Sequence, residues 1–116
     1  MKNVVGIAEI VLWTADQPRA LAFYRDLLGL EVISRPGMPN VFLKAGEGHA
    51  GIPQMIVLVP KPDDIKARPS GYQLHHLALE IPEDQFERQH DALVAAGYTP
   101  RGRGSSTSLV LLRERG

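Results

Sequence analysis

The tightest constraint on this chain is that it starts the same pattern twice. Residues 6–14, GIAEIVLWT, alternate Ile10, Leu12 and Thr14 against Glu9, Val11 and Trp13, which predicts a strand with one buried face. Asp16 then stands where an N-cap belongs and Pro18 falls in the first helical turn. Leu21, Tyr24 and Leu28 recur at helical spacing, with Ala20, Phe23 and Leu27 widening the stripe, and Gly29 closes a helix over about 17–28. The second start is YQLHHLALEI (72–81), an alternating strand, followed by EDQFERQHDALVAA (83–96). That segment predicts a helix buried along Phe86, His90 or Gln89, Leu93 and Ala96, closed by Gly97. Glu9 to Gly29 is 20 positions and His76 to Gly97 is 21, so the internal repeat has a period of about 67.

Between the two starts, LEVISR (30–35), NVFLKA (40–45) and QMIVLVP (54–60) read as three strands separated by PGMP and GEGHAGIP turns. The first module is therefore βαβββ over about 6–60. The stretch KPDDIKARPSG (61–71) is polar and has no core face, so it is expected to be an exposed connection to a second module over about 72–116. Module one has 31 positions from Gly29 to Pro60 for three strands, whereas Gly97 to Gly116 leaves 19, room for two. The expectation is an α+β chain in which the second module lacks its last strand, leaving an open sheet edge. A longer native product or a strand from a partner chain would cover that edge, and the first is the favoured explanation.

Strand geometry separates the adjacent histidines at the second start. His75 shares its face with Leu77, Leu79 and Ile81 and should be structural; His76 shares a mixed face with Leu74, Ala78 and Glu80. In the repeat Glu9 and His76 are equivalent. Two facing halves would bring their first strands together, so this acid and this imidazole are expected to look into one cavity. A carboxylate beside Val11 and Trp13 is costly to desolvate unless a cation or donor meets it, which makes Glu9 a candidate metal ligand or catalytic group. Trp13 and Met55, with Val57 beside them, are candidates for lining a ligand pocket. His49 belongs to a glycine-rich turn, His90 to the middle of a helix, and Ser105, Ser106 and Ser108 have no evident base.

Composition narrows the function classes. Thirteen basic and thirteen acidic side chains cancel and are scattered, which gives no footprint for nucleic acid or an anionic membrane. No apolar run approaches the roughly 20 residues that span a bilayer, and MKNVVGIAEIVLW has no signal-peptide pattern, so a cytoplasmic protein is expected. Without cysteine there is no disulfide or thiolate site, and any metal must be held by histidine and carboxylate.

The stretch ALAFYRDLLGLEV (20–32) after Asp16, with LHHLALEI and a helix ending AAGY in the second half, resembles the vicinal oxygen chelate superfamily of glyoxalase I, bleomycin resistance proteins, fosfomycin resistance enzymes and extradiol dioxygenases. The resemblance runs from about residue 6 to about 101. It implies two βαβββ modules forming a curled mixed sheet around a cleft, frequent homodimers, and a divalent metal held by the first and fourth strands of each module. Carried over, Glu9 and His76 take the first-strand positions. The fourth-strand position of module one falls on or near Val57, which cannot ligate, and Gln54 lies on the opposite face. The closing glutamate has no counterpart, since Glu114 comes before its place.

Two readings follow. One is a metal-dependent lyase, isomerase or dioxygenase in which Glu9 and His76 hold iron, manganese, zinc or nickel and a small oxygenated substrate. The other is a metal-free small-molecule binder of the bleomycin resistance type, with Trp13 and Met55 in the cleft wall. The paired polar positions favour the enzyme, which is the expected function, and the missing ligands favour the binder, which is the alternative.

Overall fold

The computed structural model describes residues 3–63, 76–98 and 108–112. The chain divides into two compact units, Met1–Pro69 and Ser70–Arg115.

Unit one contains β1 (Glu9–Thr14), a helix starting as α1 (Gln17–Leu21), β2 (Glu31–Val32), β3 (Val41–His49) and β4 (Ile52–Pro60). Asp16 caps α1 as its sequence position suggests, accepting a hydrogen bond from the Arg19 backbone N–H at 3.1 Å, with Pro18 in the first turn. From Ala22 to Leu27 the helix widens into a π-helical turn, with the Leu28 N–H reaching the Phe23 carbonyl at 3.0 Å. Gly29, at φ 82°, ends it, its N–H bonded to the Arg25 carbonyl at 3.1 Å. The wider turn leaves both Phe23 and Tyr24 buried, with their rings edge to face at 5.0 Å.

The strands form one sheet in the order β1-β4-β3-β2. β1 and β4 run parallel, which the helical crossover permits, and the other two pairings are antiparallel. One face carries Ile10, Leu12, Val41, Leu43, Ile56 and Leu58 in register; it packs beside the helix, where Ala20, Phe23 and Tyr24 close the core. Leu43 and Leu58 are completely buried. Burial of each such side chain contributes about 1.5–3 kcal/mol.

Two expected boundaries move. The GEGHAGIP segment is not one long turn: β3 continues to His49 and β4 begins at Ile52, joined through Ala50 (φ 55°) and Gly51 (φ 81°). Positive φ at both central residues makes a type I′ turn, whose twist matches that of a hairpin, while register shifts between Lys44 and His49 absorb the glycines as bulges. Conversely β2 is only two residues, not six. The Phe42 N–H bonds to the Ser34 side-chain oxygen at 3.1 Å instead of a backbone carbonyl, and that competition ends the ladder.

Unit two contains β5 (His76–Glu80), a 3₁₀ turn (Glu83–Gln85), α2 (Phe86–Ala95) and β6 (Ser108–Leu112). The expected strand residues 72–75 lie outside the described residues. Leu77 and Leu79 are half-buried while Ala78 and Glu80 are exposed, the period-two pattern of a strand with one covered face. In α2, Leu93 is buried and Phe86, Gln89 and His90 are half-buried, but Ala96 is exposed because it is already the C-cap. Gly97, at φ 95°, forms a Schellman turn: its N–H reaches the Val94 carbonyl, and the Tyr98 N–H reaches the Leu93 carbonyl at 2.9 Å.

β6 begins 11 positions after Gly97, and β3 begins 12 after Gly29, so β6 corresponds to β3. In unit one, β4 lies between β1 and β3. In unit two, β6 pairs directly and antiparallel with β5, keeping the direction that β3 has relative to β1.

Candidate functional site

The face of the unit-one sheet turned away from the helix is assembled row by row from the register. Glu9 pairs with Met55, Met55 with Lys44, and Lys44 with Glu31, giving one row across all four strands. The next row holds Val11, Val57 and Phe42, continued by Ile33, whose N–H bonds to the Phe42 carbonyl at 2.8 Å. The third holds Trp13 and Val59. Val11 is 52% exposed and Trp13 59%, whereas Val57, opposite Val11 on β4, is 3% exposed. An apolar surface therefore lies beside a charged row.

Four of the five candidate residues, Glu9, Trp13, Met55 and Val57, share this face. The fifth, His76, is the first residue of β5 in the other unit. Gln54 belongs to the opposite face, with its amide over Gly46 and Gly6. His49 is exposed at the end of β3, and the His90 ring Nδ1 lies 3.4 Å from an Asp91 carboxylate oxygen. His75, Ser105, Ser106 and Glu114 lie outside the described residues.

Sequence reasoning overlooked Lys44, Glu31 and Phe42. The alternation of Val41 and Leu43 against Phe42 and Lys44 carries the signal, but only the register of β3 on β4 places Lys44 in line with Glu9. The Lys44 ammonium lies 3.1 Å from a Glu47 carboxylate oxygen, and Glu47 is 89% exposed, so this ion pair is largely solvated and weak. The carboxylates of Glu9 and Glu31 have no partner among the described residues.

A structural or catalytic divalent ion generally takes three or more protein donors. Unit one presents only the Glu9 carboxylate at the expected place; Met55 and Val57 beside it bring a thioether and two methyl groups. Among the described residues, no group of three or more histidines and carboxylates is gathered that could hold a metal ion.

A four-stranded sheet in which β1 runs parallel to β4 across a helical connection, with β2 and β3 paired antiparallel beside it, defines a small α+β class of fold. The chain belongs to the Glyoxalase/Bleomycin resistance protein/Dioxygenase superfamily, whose sequence profile matches residues 6–105. Among solved structures it is similar to a lactoylglutathione lyase from Agrobacterium tumefaciens, with TM-score 0.58, 22% identity, and coverage of 87% of this chain and 77% of that one. An integron cassette protein from the mobile metagenome of V. cholerae aligns with TM-score 0.59 and 18% identity over 95% of this chain and 85% of that one. Another, from the Halifax Harbour sewage outfall, aligns with TM-score 0.54 and 18% identity over 87% and 78%. At these identities the likeness establishes the fold. No curated protein matches the sequence. No helix among the described residues is long and apolar enough to cross a membrane.

Proposed function

We propose that this protein binds a small organic molecule on the open face of its unit-one sheet, with its two units acting as the modules of one domain. The observation that carries this reading is the exposure of Val11 and Trp13 on the same face as Met55, Val57 and Val59. Apolar side chains on a sheet face are stabilised by removal from water, so an apolar or aromatic ligand laid over them gains about 25 cal/mol for each Å² it covers. Glu9 at one end adds a single polar contact, as ligand sites of this kind require for orientation. The test is the fluorescence of the uncharged dye N-phenyl-1-naphthylamine. It should rise on mixing with the protein and fall back in Val11→Asp, a substitution on an exposed position. An absent enhancement in the wild type, or one unchanged in the variant, rejects the reading.

A second reading, a metal-dependent enzyme of the superfamily, is favoured by one observation: β1 begins at Glu9 and β5 begins at His76, so the two occupy the same place in their units. Metal analysis of the purified protein decides it. About one divalent ion per chain, lost in Glu9→Ala and His76→Ala, supports it; a protein that never carries an ion, or variants that retain it, rejects it.

A further inference from the structure

We infer that the compound taken by this face carries a protonated amine, seated on Glu9, and an apolar or aromatic body lying over Val11 and Trp13; the inference rests on the binding reading above. The argument is one of charge complementarity on a graded surface. The face's cation, Lys44, is already beside Glu47 and stands directly opposite Glu31. An anionic ligand at Lys44 would share the ammonium with Glu47 and sit between Glu9 and Glu31, repelled by all three carboxylates. An ammonium displaces nothing: the Glu9 carboxylate has no partner among the described residues and accepts a charge-assisted hydrogen bond. Its neighbours on the face are Met55 and Val11, whose apolar surface strengthens that bond once the ligand excludes water. A single carboxylate suffices for an ammonium, whereas it falls short of the donor set of a divalent ion.

Strand geometry sets the ligand's length. Val11 is two residues from Glu9 and Trp13 is four, roughly 7 and 13 Å along β1. An amine joined to a ring by a four-carbon chain reaches from Glu9 past Val11 toward Trp13.

The sequence contains one tryptophan, so the single indole N–H resonance of Trp13 reports on this face alone. The probes are 4-phenylbutylamine, 4-phenylbutanol and 4-phenylbutanoate, of equal length and different charge. Titration should show the amine binding about tenfold or more tightly than the alcohol, the acid binding weakest, and Glu9→Gln bringing the amine to the alcohol's affinity. Equal affinities, a preference for the acid, or an amine preference that survives Glu9→Gln overturns the inference while leaving the binding reading in place. If none of the three compounds moves the resonance, the inference falls, and the dye titration decides the binding reading separately. Sedimentation that shows a ligand-free dimer with the Trp13 indole hidden from solvent assigns the face to a second copy and also overturns it.

Discussion

Glu9 and Lys44 flank Met55 in one row across the sheet, an acid and a base about 10 Å apart at the Cα atoms with a thioether between them. Lys44 turns to Glu47 instead, and the Glu9 carboxylate has no partner among the described residues.

Lys44→Met should hardly change stability, within about 1 kcal/mol, because the Lys44–Glu47 pair is solvent-screened. It should tighten binding of 4-phenylbutylamine by removing a like charge from the same face. Urea unfolding and the Trp13 titration measure the two effects separately.

Leu43→Ala and Leu58→Ala remove fully buried side chains from the opposite face and should each cost about 2–5 kcal/mol in urea unfolding. Val11→Ala, at an exposed position, should cost far less.

Gly48 adopts φ 72°, and a Cβ there would run into the Ile52 backbone carbonyl. Gly37 has φ 87° with open space around it. Gly48→Ala should therefore destabilise by about 2 kcal/mol or more, and Gly37→Ala by about 1 kcal/mol. Equal losses would show that the steric clash is relieved by movement of the hairpin.

Asp16→Ala should lose about 1 kcal/mol by leaving the Arg19 N–H without its cap, and Asp16→Asn should restore most of it. Thermal unfolding of the pair distinguishes capping from charge.

The Arg25 guanidinium, with its Nε 2.7 Å from an Asp26 carboxylate oxygen, holds the Asp26 carboxyl below its ordinary value through a hydrogen bond. Depression of a folded-state carboxyl pKa means that its stabilising contribution is present above the unfolded-state value, about 3.9, and fades as pH falls through the folded-state value. The carboxyl resonance of Asp26 should titrate at higher pH in Arg25→Ala than in the wild type.

Much of the fold was legible because its signals are local. The Glu9–Thr14 alternation, Asp16 before Pro18, and the closing Gly29 and Gly97 each act within one turn or one strand. What escaped was set by longer-range chemistry. Ser34 ends β2 by taking the Phe42 N–H, a competition eight residues apart. The glycines of GEGHAGIP read as loop because glycine marks turns, yet the hairpin uses them as bulges within the ladder. The π-helical turn has no distinctive residue in AFYRDL. For the site, strand alternation put Glu9, Trp13, Met55 and Val57 on their proper faces, but Lys44 joined them only through the pairing of β3 with β4. Alternation tells which side a residue takes, and pairing tells whom it meets there.

The strand that carries Glu9, Val11 and Trp13 is bonded within the described residues along one edge only, to β4, a partner 46 positions away in the chain. Joining them closes the longest loop in that sheet, an entropic penalty that none of the adjacent hairpin contacts repays. β1 should accordingly detach more readily than β3 and β4, with amide hydrogens that exchange faster than theirs. A molecule resting on Val11 and Trp13 would slow that exchange, so deuterium uptake at β1 reads occupancy of the face directly.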